Sequence, residues 1–204
     1  MLKVLLAGGA LGLAAGFAPG PLLTMVISQT ISHGFREGVK TAFSPIITDL
    51  PIVLVSTLLV SGFYGLKSVL GLVSITGGLL LVYLAYENIT VSQLGVSDVI
   101  GKPRSLFKGA LINALSPHPY LFWITVGSPL LLAAYAQSAM DAGAFVVGFY
   151  SCLIGAKIIL AYMVLRSHRF LSGGAYRWLM RALGIALLIF AVFLFRDGFA
   201  LLSE

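Results

Sequence analysis

Two short stretches decide the fold: FAPGPLL at Phe17–Leu23 and LSPHPYL at Leu115–Leu121. Each places Pro-x-Pro inside an apolar run, at Pro19/Pro21 and at Pro117/Pro119, 98 positions apart. A proline has no backbone N–H, and its ring clashes with the carbonyl four residues earlier. Two prolines flanking Gly20, or flanking His118, therefore open a helix locally. Within a bilayer the freed backbone groups are tolerated only where protein or a wet cavity serves them. The helix before each break is small-faced. Gly8, Gly12, Gly16 and Gly20 recur every fourth residue, and Ala110 and Ala114 match Gly12 and Gly16 at the same offset.

The rest of the chain puts both breaks in a membrane. Of its 204 residues 59% are hydrophobic and 10% charged, and the mean hydropathy is +1.02. A soluble domain averages about 45–50% apolar and about 25% charged. A soluble globule and a disordered chain are both excluded. Six apolar segments stand out, near Val4–Ser28, Thr41–Gly62, Val69–Tyr86, Gly109–Ala134, Gly143–Leu165 and Ala182–Leu202. Each approaches the about 20 residues of a spanning helix. The first apolar run, after Lys3, continues to about Ile31, beyond the about 7–15 residues of a secretion signal, so it is the first span. The expectation is all-α: one transmembrane domain over 1–204, a first half of about 1–100 and a second of about 101–204.

Charge gives the orientation. The net charge is +6, yet the basic residues sit in short loops between apolar segments, so they face lipid headgroups rather than nucleic acid. Arg36 and Lys40 lie in the first loop with His33 and Glu37. Lys102, Arg104 and Lys108 lie in the third with Glu87 and Asp98, and Arg166, Arg169, Arg177 and Arg181 in the fifth with His168. The other loops and the termini hold only Lys3, Lys67 and Arg196. The positive-inside rule makes the odd loops cytoplasmic and puts both termini outside. Cys152 is the single cysteine, so neither a disulfide framework nor a thiol-exchange pair exists.

Three spans separate the two Pro-x-Pro copies, so the second half enters the membrane inverted. An inverted three-plus-three repeat with helices 1 and 4 broken at matching points is a transporter signature. Asp49 in segment two and Lys157 in segment five are charges in hydrocarbon and hence functional candidates. Counted from the cytoplasmic ends, Asp49, Lys157, Pro19–Pro21 and His118 all lie roughly 12 Å deep at 1.5 Å per residue. Asp49 and Lys157 are expected to face one cavity and neutralise each other when it is empty. A zwitterion offers an ammonium to Asp49 and a carboxylate to Lys157 or to an opened helix N-terminus. A structural ion pair is the alternative, and Lys157 has the further choice of snorkelling to the headgroups. Asn113, one turn before Pro117, contacts substrate or bonds across helices. His118 relays protons or stays a neutral hydrogen-bonding group. Ser44, Thr48 and Ser116 line a cavity or bond their own helix carbonyls. Tyr83, Tyr120 and Trp123 pack or anchor at the interface. The Gly8–Gly20 ridge packs within one chain or across a homodimer.

These residues resemble the lysine exporter (LysE/RhtB-type) amino-acid efflux family over essentially the whole length. The glycine-rich run into Pro-Gly-Pro is matched by Gly16 and Pro19-Gly20-Pro21, and the Gly-x-Arg-x-Gly loop by Gly34-Phe35-Arg36-Glu37-Gly38. The acidic residue of the second helix is matched by Asp49, though Ser44 and Thr48 stand where glycines are usual. The fourth-helix Asn-Pro-Lys is met only in part, by Ser116-Pro117-His118, with Phe107, Gly109 and Asn113 around it. Lys157 is outside the pattern. The resemblance implies a divergent six-helix exporter of amino acids, driven by proton motive force, in a prokaryotic cytoplasmic membrane.

The expected site is thus Pro19, Gly20, Pro21, Asp49, Asn113, Ser116, Pro117, His118 and Lys157, with Asp49 and His118 as proton-coupling candidates. The expected partners are a small zwitterion, protons and lipid; no cofactor, metal or nucleic acid is implied. A metal or inorganic-ion exporter is the alternative, but Asp49 and His118 are few ligands and Lys157 repels a cation. An intramembrane enzyme would need a nucleophile–base constellation or a His-Glu-x-x-His stretch, and the sequence has neither.

Overall fold

The computed structural model describes residues 1–62, 67–90, 104–166 and 174–203. Asp98, Lys102, His168 and Arg169 lie outside the described residues, as do the side chains of Lys67, Glu87, Pro117 and Arg177. Among the described residues every regular element is helical.

The first apolar segment is two helices, α1 (Leu2–Phe17) and α2 (Pro21–His33), meeting at 63° across residues 18–20. α2 begins with Pro21 at its first position, where a missing N–H costs nothing. A glycine turn follows, Gly34 at φ 90°, and then α3 (Phe35–Ala42) and α4 (Ser44–Gly62). The first charged loop is therefore almost absent. Arg36 and Lys40 are exposed on α3 while Gly38, Thr41 and Ala42 are buried on its other side. An amphipathic helix carries these charges as readily as a loop does. The run Phe35–Gly62 is 28 residues long and apolar enough to span. Asp49 consequently stands near its middle, not about eight residues from its start.

The third segment is α5 (Lys67–Thr90). The fourth is interrupted three times: α6 (Ser105–Leu115), α7 (Pro117–Phe122), a π-helical stretch Trp123–Gly127, and α8 (Ser128–Gln137). α9 (Ala139–Arg166) and α10 (Gly174–Ser203) complete the chain. Four described helices are long and apolar enough to cross a membrane, and a fifth span forms if bent α1–α2 counts as one. Gly71–Tyr83 and Ser105–Leu115 are shorter apolar helices.

Polarity runs inside out, as lipid demands. α4 exposes Leu50, Leu54 and Leu58, one turn apart, and buries Ser44, Asp49 and Ser56. Helix pairing follows the small residues. α1 lies on α9, and a Cβ on Gly8 or Gly12 would collide with the carbonyls of Phe145 and Phe149, respectively. One on Gly16 would sit 2.7 Å from Leu153 O. Backbones can approach this closely only where side chains are absent. The ridge is thus occupied within the chain, and Gly20 leaves it to enter the break. α5 lies on α10 in the same way, and a Cβ on Gly71 or on Gly198 would stand 3.0 Å from the other's carbonyl oxygen. α4 packs along α6, α7, the π stretch and α8.

Candidate translocation site

Each break leaves carbonyls that need donors. α1 makes its last backbone bond from Ala18 N–H to Ala14 O, 2.9 Å. Pro19 and Pro21 have no N–H for Ala15 O and Phe17 O, and Gly20 between them is extended (φ 173°, ψ 175°). Gly16 O is served from another helix: Lys157 Nζ donates to it at 3.1 Å. The second break repeats the device with a different residue. Ser116 is extended, Pro117 opens α7, and Tyr120 OH donates to Ala114 O at 2.8 Å. Gly16 and Ala114 are the two carbonyls related by the 98-residue offset. Tyr120→Phe is expected to lower the melting temperature in detergent by about 2–4 °C, the worth of about one neutral hydrogen bond. Tyr135→Phe, at an exposed position on α8, is the control and should leave it unchanged.

The two breaks meet around one cavity of about 120 Å³. Pro19, Gly20, Pro21, Asp49, Asn113, Ser116, His118 and Lys157 all line it. Pro117 is the one site residue whose side chain lies outside the described set. Gly20 and His118 face each other: a Cβ on Gly20 would stand 4.0 Å from His118 Nδ1. The first N–H groups of α2, at Leu22 and Leu23, belong to lining residues and have no partner within their own helix.

Asp49 is 4% exposed and Lys157 3%. No direct ion pair within 4.0 Å joins them, although both charges line the same cavity. Each is held by neutral groups instead. Asn113 Nδ2 donates to Asp49 Oδ1 at 2.6 Å and to Thr48 Oγ1 at 2.7 Å, using both amide protons. Thr48 passes its own proton to Ser44 O at 3.2 Å. Tyr150 OH donates to Asp49 Oδ2 at 3.3 Å. The carboxylate keeps spare acceptor capacity, since two oxygens offer about four lone-pair directions. Snorkelling of Lys157 does not occur; its head turns inward to Gly16.

Aromatic rings close the cavity. Phe122 stacks on Phe149 at 5.2 Å, Trp123 on Tyr150 at 6.2 Å, and Trp123 meets Phe149 edge-on at 5.3 Å. Trp123 starts the π stretch, and a Cβ on Gly127 would collide with its ring. Pro129 lacks the N–H that Thr125 O would use in an α-helix, so the wider turn relieves its clash. Tyr150 and the π stretch escaped the sequence analysis. Tyr150 is 101 positions from Asp49, and only Pro129 signalled the distortion.

A family model described as LysE type translocator matches residues 13–198. The chain belongs to the LysE type translocator family. No curated protein and no solved structure matches it. This LysE-type translocator is a multi-pass membrane protein that exports amino acids or similar small solutes, and membership places it among transporters rather than enzymes. Among the described residues no three His, Cys, Asp or Glu side chains cluster to hold a metal ion.

Proposed function

We propose that this translocator is a secondary exporter of small zwitterions, amino acids foremost, out of a prokaryotic cytoplasmic membrane by alternating access. One observation carries the reading. A carboxylate and an ammonium line the same small cavity, and each is held by neutral groups rather than by the other. Opposite charges so arranged suit a solute carrying both. The substrate ammonium goes to Asp49, and its carboxylate to Lys157 and the N-terminus of α2. The size agrees: an apolar cavity of about 150 Å³ accepts benzene, so about 120 Å³ suits a solute of similar bulk.

The frame supports alternating access between inverted halves of about 1–100 and 101–204, in six spans. An inverted repeat exchanges spans one and four, two and five, three and six. It therefore turns the α1–α9 pair into the α4 pairing with α6–α8 and returns α5–α10 to itself. Those are the pairings observed. Odd loops in the cytoplasm and both termini outside complete the topology. Proton motive force drives the cycle through Asp49, with His118 as the second proton carrier.

Counterflow of radiolabelled amino acids into proteoliposomes tests the reading. Saturable uptake of a small neutral amino acid is expected, and absence of flux for every amino acid with folded protein removes it. Lys157→Met should raise KM about tenfold or more for the amino acid, the loss of one charge-assisted bond, while sparing the decarboxylated amine. Equal loss for both solutes would show that Lys157 does not meet the carboxylate.

A further inference from the structure

A second polar layer lies away from the cavity and has no part in the binding just proposed. It comprises Gln29 on α2, Glu37 and Thr41 on α3, and Ser105 in the first turn of α6. Gln29, Thr41 and Ser105 are at most 2% exposed. Ser105 Oγ stands 2.6 Å from Glu37 Oε2 and 2.8 Å from Gln29 Oε1, and Thr41 Oγ1 is 3.4 Å from Ser105 O. A serine hydroxyl has one proton. The Glu37 carboxylate, at the shorter distance, and the Gln29 amide oxygen are its two alternative acceptors, while Gln29 Nε2 donates to Met25 Sδ at 3.5 Å.

The layer is parallel to the cavity. Gln29 follows Pro21 by eight residues; Thr41 precedes Asp49 by eight, and Ser105 precedes Asn113 by eight. Each spacing is roughly 12 Å of helix. An apolar plug fills the interval, where Val26, Ala42 and Ala161 are fully buried against Phe35 and Ile158. A Cβ on Gly38 would collide with Thr30 Oγ1, so α3 lies hard against α2 beside this layer.

The geometry points to a latch: Ser105 of the second half, gripped by Glu37 and Gln29 of the first, closes the cavity towards the Gly34 end and must release for translocation. This rests on the alternating-access reading above. Buried polar groups are costly unless satisfied, and an apolar seam would hold without them. Polar groups suit a seam that opens, because water replaces their bonds and the open state keeps little penalty. Among the described residues of this layer, Ser105 is the side chain that the second half contributes.

The test reads accessibility rather than transport. Cys152→Ser removes the native thiol and Ala18→Cys places one on the cavity wall. A membrane-impermeant maleimide is added to inside-out and to right-side-out membrane vesicles. Ser105→Ala and, separately, Glu37→Gln, which also ends the exposed Glu37–Lys40 ion pair, are each expected to speed labelling about tenfold from one face only, the population shift of the lost charge-assisted bond to Ser105. Unchanged rates overturn the latch, and so does a rise at both faces, which signals general loosening. Amino-acid counterflow on the same proteins is scored separately. Labelling that rises while no amino acid moves keeps the latch and removes the substrate reading.

Discussion

Asp49→Asn is expected to cut amino-acid counterflow by about 100-fold, or about 3 kcal/mol of lost stabilisation of the bound ammonium. The change is isosteric. An asparagine oxygen still accepts from Asn113 Nδ2, and its amide still meets the Tyr150 hydroxyl, so the two shortest bonds at this position survive in kind. The melting temperature should therefore move by no more than about 4 °C, near one kcal/mol for a chain of this size. What disappears is charge alone. A variant that melts as usual and still transports at the native rate would reduce Asp49 to a structural acceptor. Full dependence of the residual flux on a pH gradient would separately end its role in proton coupling.

The second large effect concerns assembly. Gly12→Ala adds one methyl group where α1 rests on the backbone of α9 at Phe149. The obstacle is a carbonyl in the middle of a 28-residue helix, which cannot rotate aside as a side chain would. The expected cost is about 3 kcal/mol, at the upper end for overpacking, or about 10 °C in melting temperature. Gly143→Ala makes the same chemical change on α9, where nothing lies within 4 Å of the new Cβ. It should be neutral or stabilise by up to about 1 kcal/mol through helix propensity. Fluorescence-monitored unfolding in detergent compares the two, and equal melting temperatures would refute the close α1–α9 contact.

Covalent constraint made the breaks legible in the sequence. Pro19, Pro21, Pro117 and Pro119 carry their effect on the backbone wherever they stand, so local reading located both interruptions. Asp49 and Lys157 were legible because a charge among apolar residues needs a reason. Their partners were not legible. Lys157 serves a carbonyl 141 positions away, and nothing local distinguishes Gly16 from other glycines as its acceptor. The charged stretch around Arg36 reads as a loop because the residues it buries are Gly38, Thr41 and Ala42, which carry little apolar signal. Ser105, Gln29 and Thr41 are ordinary residues one by one. Only the packing of three helices makes them a layer.

The pairing of α1 with α9 also dictates an order of birth. The first helix enters the bilayer with its glycine face bare and its Gly16 carbonyl unserved, because Phe145, Phe149 and Lys157 have not been made. At about 5–20 residues per second, the ribosome needs about 7–28 s to supply them. During that interval the opened backbone at Pro19–Pro21 needs the protein walls or the water of the translocon, because lipid offers it no partner. Closure comes late and all at once, when the fifth segment arrives and its lysine plugs the first helix's exposed end.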